Sequence, residues 1–415
     1  MAEKAPRGVR LVITLVGRRN AGKSSCINAL AGQDIAIVSD APGTTTDPVA
    51  KHYELLPLGP VTFYDTPGLD DVGKLGELRI RAARKVLTRA DMALLVVGEH
   101  GVDDPERAVL EELRELGVPC LAVLNKSDTQ PPREADLAFF RERSIPYHIA
   151  SAATGQGMNA LKRGIIDAIP PELRQEPPLV GDLISEGQWT ICVTPIDLAA
   201  PKGRLILPQV QVLRDILDAD GLGVVVKERE LEEALANLKR PPALVVTDSQ
   251  AVLKVDGDVP EPIPLTTFSI LFARYKGDLP ALVHGANAID SLRQGDRVLM
   301  SEACSHHPVA DDIGRVKIPR WITQYTGLDL DFQMAAGNDF PDDLEQYALV
   351  VHCGGCMLNR AAMLRRIREC QRRGVPVTNY GVAISKVQGV LERVVRPFGI
   401  RLSEQSPAAA ALALD

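Results

Sequence analysis

Two groups of residues in this sequence have the types and spacing that chemistry requires, and they lie near opposite ends of the chain. The first is "GRRNAGKSS", residues 17–25, which spaces Gly17, Gly22, Lys23 and Ser24 as G-x-x-x-x-G-K-[ST]. Between a strand and a helix, such glycines let backbone N–H groups surround phosphate oxygens, while the lysine reaches the β- and γ-phosphates and the serine binds Mg²⁺. The flanking runs "LVITLV" and "SSCINAL" predict that strand and that helix. The sequence therefore predicts a phosphate-binding loop.

Three later motifs extend this prediction to a guanine nucleotide. Asp65 begins "DTPG", where its carboxylate can hold the magnesium shell and the amide of Gly68 can meet the γ-phosphate. In "NKSD", Asp128 can accept hydrogen bonds from the N1–H and the exocyclic amine of guanine, whereas adenine presents the wrong pattern. Ser151 and Ala152 follow the next predicted strand and would support guanine O6. The remaining predicted contacts to the nucleotide are Asn20, Ser25, Asn125 and Lys126.

In order and spacing, these motifs resemble a Ras-like GTPase of the TrmE–Era branch, which typically carries "GTTRD" where this chain has "GTTTD". Within this motif we choose Thr45 as the switch threonine that senses the γ-phosphate and ligates Mg²⁺, with Thr44 and Thr46 as the alternatives, so that Lys23, Thr45 and Gly68 form the predicted catalytic set. Leu69 stands where Ras has a water-orienting glutamine, and we expect slow hydrolysis because leucine cannot position a nucleophile. In the resembling family a potassium ion, held partly by a P-loop asparagine, compensates, and Asn20 matches that position.

The second group combines cysteines with histidines near the other end of the chain. "EACSHHP" contains Cys304 and His306, and "VVHCGGC" contains His352, Cys353 and Cys356. Each follows a predicted strand, and the C-terminal ends of parallel strands share an edge of the sheet, so the two stretches can meet there. By spacing alone, a structural zinc site and a [4Fe–4S] cluster fit about equally well. A CxxC redox pair is a third interpretation, but it has no need of the third cysteine or the histidines.

Alternating apolar runs and amphipathic segments must position both groups. The pattern predicts an α/β protein whose strands are buried on both faces, with mainly parallel sheets. Proline-rich breaks near residues 170–182 and 256–264 divide it into three domains. We predict a GTP-binding domain at residues 1–172, a dimerisation domain at 178–262 and an iron–sulfur domain at 264–415. The functions of the second and third domains are implied by the family resemblance described below.

The net charge of the chain bears on which kinds of macromolecule it can bind. The chain has 415 residues and a formal net charge of −7, which favours neither nucleic acid nor an anionic membrane. No apolar run approaches the roughly 18 residues that span a bilayer. Because the sequence also shows no charged-then-apolar leader pattern, we expect a cytoplasmic protein. The seven cysteines are an odd number, which argues against a disulfide framework in such a protein.

The P-loop set and the CxH…HCxxC signature together resemble one family, HydF, the GTPase and iron–sulfur scaffold of [FeFe]-hydrogenase maturation. The resemblance implies a [4Fe–4S] cluster on Cys304, Cys353 and Cys356, with His352 or His306 as a possible fourth ligand. It also implies a homodimer that takes a transient diiron precursor from radical-SAM maturation proteins and passes it to apo-[FeFe]-hydrogenase. The alternative function is a tRNA-modifying or ribosome-associated GTPase with a structural zinc domain.

Six arginines crowd the predicted helix that follows the CxxC motif: Arg360, Arg365, Arg366, Arg368, Arg372 and Arg373. A solvated basic face is the ordinary interpretation. The alternative hypothesis is that some of them attract an anionic precursor or an acidic partner.

Overall fold

Runs of buried apolar residues form three separate sheets in the computed structural model. The structure describes residues 10–32, 49–68, 86–170, 177–195, 205–303, 312–337, 340–341, 343–355 and 358–402. The strands are β1 Leu11–Val16, β2 Val49–Leu55, β3 Gly59–Asp65, β4 Met92–Val97, β5 Cys120–Leu124, β6 Tyr147–Ile149, β7 Trp189–Val193, β8 Leu222–Val226, β9 Leu244–Thr247, β10 Leu265–Thr267, β11 Arg297–Glu302, β12 Asp331–Ala336, β13 Leu349–His352 and β14 Val377–Asn379.

Helices join most successive strands, as parallel sheets require. The described α-helices are α1 Lys23–Ala31, α2 Asp104–Glu115, α3 Glu134–Glu142, α4 Met158–Ala168, α5 Leu207–Asp218, α6 Leu231–Asn237, α7 Val252–Asp258, α8 Phe268–Lys276, α9 Leu279–Ala286, α10 Ile318–Thr326, α11 Arg360–Arg372, α12 Tyr380–Val387 and α13 Leu391–Val395.

The first sheet has six strands in the order β2-β3-β1-β4-β5-β6. Only β2 runs antiparallel to its neighbour β3. The four central strands are almost wholly buried and pack against α1 and α4 on one face, where Ile27, Leu30 and Leu161 join the core. This is the Ras-like P-loop topology that the sequence predicts, and it brings the strand ends before residues 17, 66 and 125 to one edge.

The second and third sheets each have four parallel strands, in the orders β10-β9-β7-β8 and β12-β11-β13-β14. The second sheet takes its strand β10 from residues beyond the predicted boundary at 262–264, and α8 packs on its core through Phe268, Leu271 and Phe272. In the third sheet, β11 and β13 are direct neighbours, and Ser301 pairs with His352. The sequence predicts this adjacency of strand ends only as a possibility, and the register establishes it.

The described residues divide into two compact units. One draws on residues 1–176 and 357–365, and the other on residues 177–356 and 366–415. The second unit contains both four-stranded sheets and both tryptophans of the chain, Trp189 in β7 and Trp321 in α10. No helix within the described ranges is long and apolar enough to cross a membrane.

Candidate functional site

The predicted phosphate-binding loop lies between β1 and α1, and two glycines are essential to its shape. Gly17 has φ +150°, and a Cβ there would lie 2.2 Å from the carbonyl oxygen of Val96. Gly22 has φ +93°, and its Cβ would meet the side-chain amide of Asn125 at 2.2 Å. No other residue type fits either place, so the loop keeps its backbone N–H groups close to any ligand. The Nζ of Lys23, which is largely buried, donates to the carbonyls of Gly17 and Arg18 at 2.9 and 2.8 Å.

Ser24 and Asp65 form the expected magnesium pair. The Oγ of Ser24 donates to Oδ2 of Asp65, a carboxylate that is only 4% exposed at the end of β3. Its second oxygen, Oδ1, is buried and has no hydrogen-bond partner within the residues that the structure describes. Burial raises the pKa of Asp65, against the opposing effects of Ser24, Lys23 and Lys51. A hydroxyl beside a buried carboxylate with an unsatisfied oxygen fits a hard divalent cation such as Mg²⁺.

The guanine-binding loops are held together by one amide. Asn125, at the end of β5, donates from Nδ2 to the carbonyl of Ala21 at 2.8 Å and accepts at Oδ1 from the N–H of Ala152 at 3.0 Å. It therefore braces the P-loop against the segment that begins with Ser151, in addition to any role toward the nucleotide. Because the Ala152 N–H already serves Asn125, pairing it with guanine O6 would require that bond to be shared. Asp128 is exposed, so its carboxylate is accessible to a base.

Lys126 does not point its ammonium group at Asp128. It adopts φ +64°, and its Nζ donates to Oε1 of Glu99 at 3.1 Å. Asn20 is exposed and also has a positive φ, +58°, within the P-loop. This conformation is common for asparagine and rare for other non-glycine residues.

The cysteine-bearing edge belongs to the third sheet. Cys353 follows β13 directly, and its Sγ accepts a hydrogen bond from the N–H of Ala303 at 3.1 Å. Ala303 is the residue immediately before Cys304 in the sequence. Backbone N–H donors to sulfur are typical of thiolates that bind iron–sulfur clusters, where they tune the reduction potential. The sulfur environment of Cys353 therefore fits a metal thiolate.

A buried lysine supports the loop between the two CxxC cysteines. Lys276, the last residue of α8, is 3% exposed, and its Nζ donates to the carbonyl of Gly355 at 3.0 Å. Gly355 has φ +61°, which a glycine adopts without strain. An ammonium group at this place fixes the turn and adds a positive charge beside a site predicted to bind an anionic cluster. The sequence does not single out Lys276, because nothing in "ARYKGD" separates it from a surface lysine.

His352 is engaged at both ring nitrogens. It is 1% exposed, with Nδ1 at 2.7 Å from the carbonyl oxygen of Cys353 and Nε2 at 2.7 Å from Nη1 of Arg366. Because a guanidinium only donates, Nε2 accepts and Nδ1 carries the proton. Burial and the nearby Arg366 lower the pKa of His352 to about 3. The lone pair of this neutral ring faces Arg366, which counts against His352 as the fourth ligand.

Arg365, Arg366 and Arg373 of α11 have specific partners, whereas Arg368 and Arg372 are exposed, as the ordinary interpretation of that run predicts. Arg366 also donates to the carbonyl of Gly337 and lies over the ring of Phe340. Arg373 pairs with Glu345 and Glu369. Arg372 pairs with Glu369, Arg365 donates to two backbone carbonyls, and Arg368 is exposed. Glu345 and the backbone carbonyls come from other segments, so the amphipathic pattern could not reveal them, whereas Glu369 lies in the same helix.

Several predicted residues lie outside the described ranges: Thr45, Leu69, Cys304, His306 and Cys356. Within the described ranges no cluster of three metal-ligating side chains occurs. The convergence of the three cysteines therefore stays a prediction.

Comparison with known domain families divides the chain into three matched segments. Residues 12–126 match the 50S ribosome-binding GTPase family. Residues 179–277 match the hydrogen maturase F dimerization domain, and residues 280–397 match the hydrogen maturase F tetramerization domain. The last two matches together cover the described part of the second unit almost completely.

Two curated relatives each align with less than half of this chain. The tRNA modification GTPase MnmE of Nitrosomonas europaea is 37% identical over 163 residues, which are 38% of this chain and 34% of MnmE. The GTPase Era of Stenotrophomonas maltophilia is 34% identical over 193 residues, which are 44% of this chain and 61% of Era. The chain thus spans about one-third to three-fifths of the length of these relatives. Among solved structures, an Era from Aquifex aeolicus bound to GDP.AlF4- matches with a TM-score of 0.35 and 26% identity, over 38% of this chain and 56% of that one.

Proposed function

The chain belongs to the hydrogen maturase F (HydF) family, and from this premise we propose that it is a GTPase that serves [FeFe]-hydrogenase maturation as a cluster-binding scaffold. In this role it carries a [4Fe–4S] cluster, receives a diiron precursor from radical-SAM proteins and delivers it to apo-hydrogenase in the cytoplasm. The observation that carries the proposal is the presence, in one chain, of a GTPase domain and two hydrogen maturase F domains.

Guanine nucleotide binding rests on the P-loop side chains. Lys23 is held inside the loop, where moving its Nζ from two backbone carbonyls to phosphate oxygens replaces neutral acceptors by charged ones. Ser24 and Asp65 hold Mg²⁺, which neutralises charge on the β- and γ-phosphates when bound. Asp128 selects guanine through its N1–H and amine.

Hydrolysis is slow and stimulated by potassium. Gly68, buried directly after β3, presents its backbone to the γ-phosphate, but Leu69 offers no group that can orient water. Thr45 closes over the γ-phosphate and Mg²⁺. Asn20 provides the oxygen ligand for K⁺ at the exposed rim of the loop.

The cluster site uses Cys304, Cys353 and Cys356 as iron ligands. When bound, the cluster supplies an iron with a replaceable ligand, at which a precursor can dock. The chain's own contributions are the N–H of Ala303 toward the Cys353 sulfur and the Lys276 ammonium on the Gly355 carbonyl. The fourth ligand is His306 or an external group, since both nitrogens of His352 have other partners.

Self-association is supported by an apolar surface on the second sheet. β8 is an edge strand, with Leu222 and Val225 40% and 42% exposed. On the neighbouring α5, Val210 and Leu217 are 47% and 62% exposed. An open strand edge beside exposed apolar side chains is suited to pairing with a second copy. The matched dimerization and tetramerization domains agree with at least a dimer.

The decisive test is metal content after anaerobic purification. We expect brown protein with about four iron and about four sulfide per chain. Cys353→Ser should lose most of the iron, whereas Cys120→Ser, a half-buried thiol in β5, should keep it. Colourless protein that contains zinc and no iron would contradict the scaffold role and favour the tRNA-modifying or ribosome-associated GTPase.

A further inference from the structure

The second residue of the P-loop, Arg18, is anchored by its side chain to α2, the helix that follows β4. Its Nε donates to Oε1 of Glu106 at 3.0 Å, and its Nη2 donates to Oε2 of the same carboxylate at 3.2 Å. The same Nη2 also donates to Oδ2 of Asp103 at 3.1 Å. A guanidinium that binds one carboxylate through two parallel donors is fixed in orientation as well as in position.

The carboxylate of Glu106 is buried, which separates this ion pair from an ordinary surface salt bridge. The side chain of Glu106 is 1% exposed, and that of Arg18 is 20% exposed. Oε2 of Glu106 also accepts from the N–H of Asp103 at 3.0 Å, within the capping box of α2. A buried carboxylate that loses its counter-charge destabilises its surroundings strongly, whereas an exposed pair contributes little. The loss of either charge should therefore displace the P-loop backbone at residue 18.

The segment that carries Glu106 is itself held in place from another side. The N–H of Val102 donates to Oδ1 of Asp136 at 2.9 Å, and Asp136 is only 4% exposed. Arg133 donates to both oxygens of that carboxylate, each at 2.9 Å. Gly101 leaves room for the guanidinium, because a Cβ there would lie 1.8 Å from Nη2 of Arg133. Glu106 is thus part of a fixed anchor that does not depend on the P-loop.

The backbone of Arg18 adjoins the phosphate site. Its carbonyl accepts from Nζ of Lys23 at 2.8 Å, so the position of residue 18 also fixes the resting position of this lysine. We propose that Arg18 is a positioning residue for guanine nucleotide binding, which acts through Glu106 and does not itself contact phosphate. This inference rests on the proposed nucleotide binding at the P-loop. A direct contact between Arg18 and phosphate would require its bonds to Glu106 and Asp103 to be broken.

A double-mutant cycle on the full chain tests the positioning role. The Kd values of fluorescent GDP and of a fluorescent, non-hydrolysable GTP analogue are measured for Arg18→Gln, for Glu106→Gln and for the double variant. Residues in contact commonly couple by a factor of roughly 2 to 150, so we expect each single variant to bind both nucleotides about tenfold more weakly. The double variant leaves no buried charge unpaired, so its loss of affinity should be smaller than the product of the two single losses.

The matched control is Arg114→Gln, which breaks an exposed ion pair with Glu111 on the same helix and should leave both Kd values unchanged. Circular dichroism establishes that each variant is folded at the temperature of the binding measurement, and the double variant guards against a folding defect caused by one unpaired charge.

The possible outcomes separate the positioning role from the proposed function. Unchanged Kd values in folded Arg18→Gln would overturn the positioning role alone. A loss confined to the GTP analogue, with no loss in Glu106→Gln, would overturn it in favour of a direct contact with phosphate. Single losses that multiply in the double variant would show that the two residues act separately. An unaltered chain that binds no guanine nucleotide would overturn the proposed function, and the positioning role with it.

Discussion

At the scale of single residues, we propose that base specificity depends on Asp128. Its carboxylate, which is exposed, would accept from two donors on guanine, whereas an asparagine at this position would present its amide NH2 to one of them. Asp128→Asn should therefore weaken GTP binding by about 100-fold or more, since each unpaired donor costs on the order of 1–3 kcal/mol. Xanthosine triphosphate, which carries an oxygen in place of the exocyclic amine, should bind the variant better than GTP does.

Titration with fluorescent guanine and xanthine nucleotides measures this exchange of preference. Asp104→Asn, an exposed position in the same unit, serves as the control and should bind GTP normally. Unchanged GTP affinity in Asp128→Asn would show that another group recognises guanine.

Asp91 makes the stability of the nucleotide-binding sheet depend on pH. Burial raises its pKa to about 7, although Val12, Arg365 and Asn359 oppose the change. Between roughly pH 4 and 7 the folded state holds a proton that the unfolded state releases, so the free energy of unfolding falls as pH rises, by at most about 1.4 kcal/mol per pH unit. The protection factors of the β1 and β4 amides, which correct for the intrinsic acceleration of hydrogen exchange with pH, should fall across that window in the unaltered chain. In Asp91→Asn this contribution should disappear, and an undiminished slope would contradict the assignment.

The residue scale also shows what sequence can and cannot predict about the site. The sequence predicts the P-loop because its motif specifies a local backbone shape that binds phosphate. The residues of this motif are Gly17, Gly22, Lys23 and Ser24. Lys276 is not, because its role comes from burial against a carbonyl 79 residues away. The sequence predicts His352 as a possible ligand, but its environment depends on Arg366, whose orientation no spacing rule specifies.

At the scale of elements, we propose that copies of the chain associate through the edge strand β8. Val225→Lys places a charge on the exposed face of that strand, which natural sheets use to prevent pairing. We expect the mass measured by light scattering during size exclusion to fall toward that of the monomer, 44.9 kDa. Leu253→Lys, at a more exposed apolar position on α7, should leave the mass unchanged. If the Val225→Lys protein kept the oligomer mass of the unaltered protein, the copies would associate through another surface.

The sequence predicts helices and strands well where the hydrophobic periodicity is clear, and it predicts short strands less well. Continuous apolar runs such as "LVITLV" and "MALLVV" predict β1 and β4. "LTTFSILFARY" reads as one helix, but its first three residues form β10 and Thr267 caps α8 by accepting from the N–H of Ile270. Three residues are too few to show a period of two, so only pairing with β9 distinguishes this strand.

At the scale of the whole molecule, the family determines the proposed function more than any single site does. Each signature alone has an ordinary alternative: a P-loop occurs in many NTPases, and a CxxC motif occurs in zinc and redox proteins. Their combination predicts the family, and the two hydrogen maturase F domains confirm it. Domain boundaries at 172–178 and 262–264 stay predictions, because proline-rich composition marks a break without specifying which sheet a neighbouring strand joins.

The distribution of the two tryptophans has an optical consequence. Trp189 and Trp321 both lie in the unit that lacks the P-loop, so the tryptophan fluorescence of the protein comes entirely from that unit. Adding GTP to the unlabelled protein and recording a shift in indole fluorescence would register, without any introduced probe, that occupancy of one unit is felt in the other.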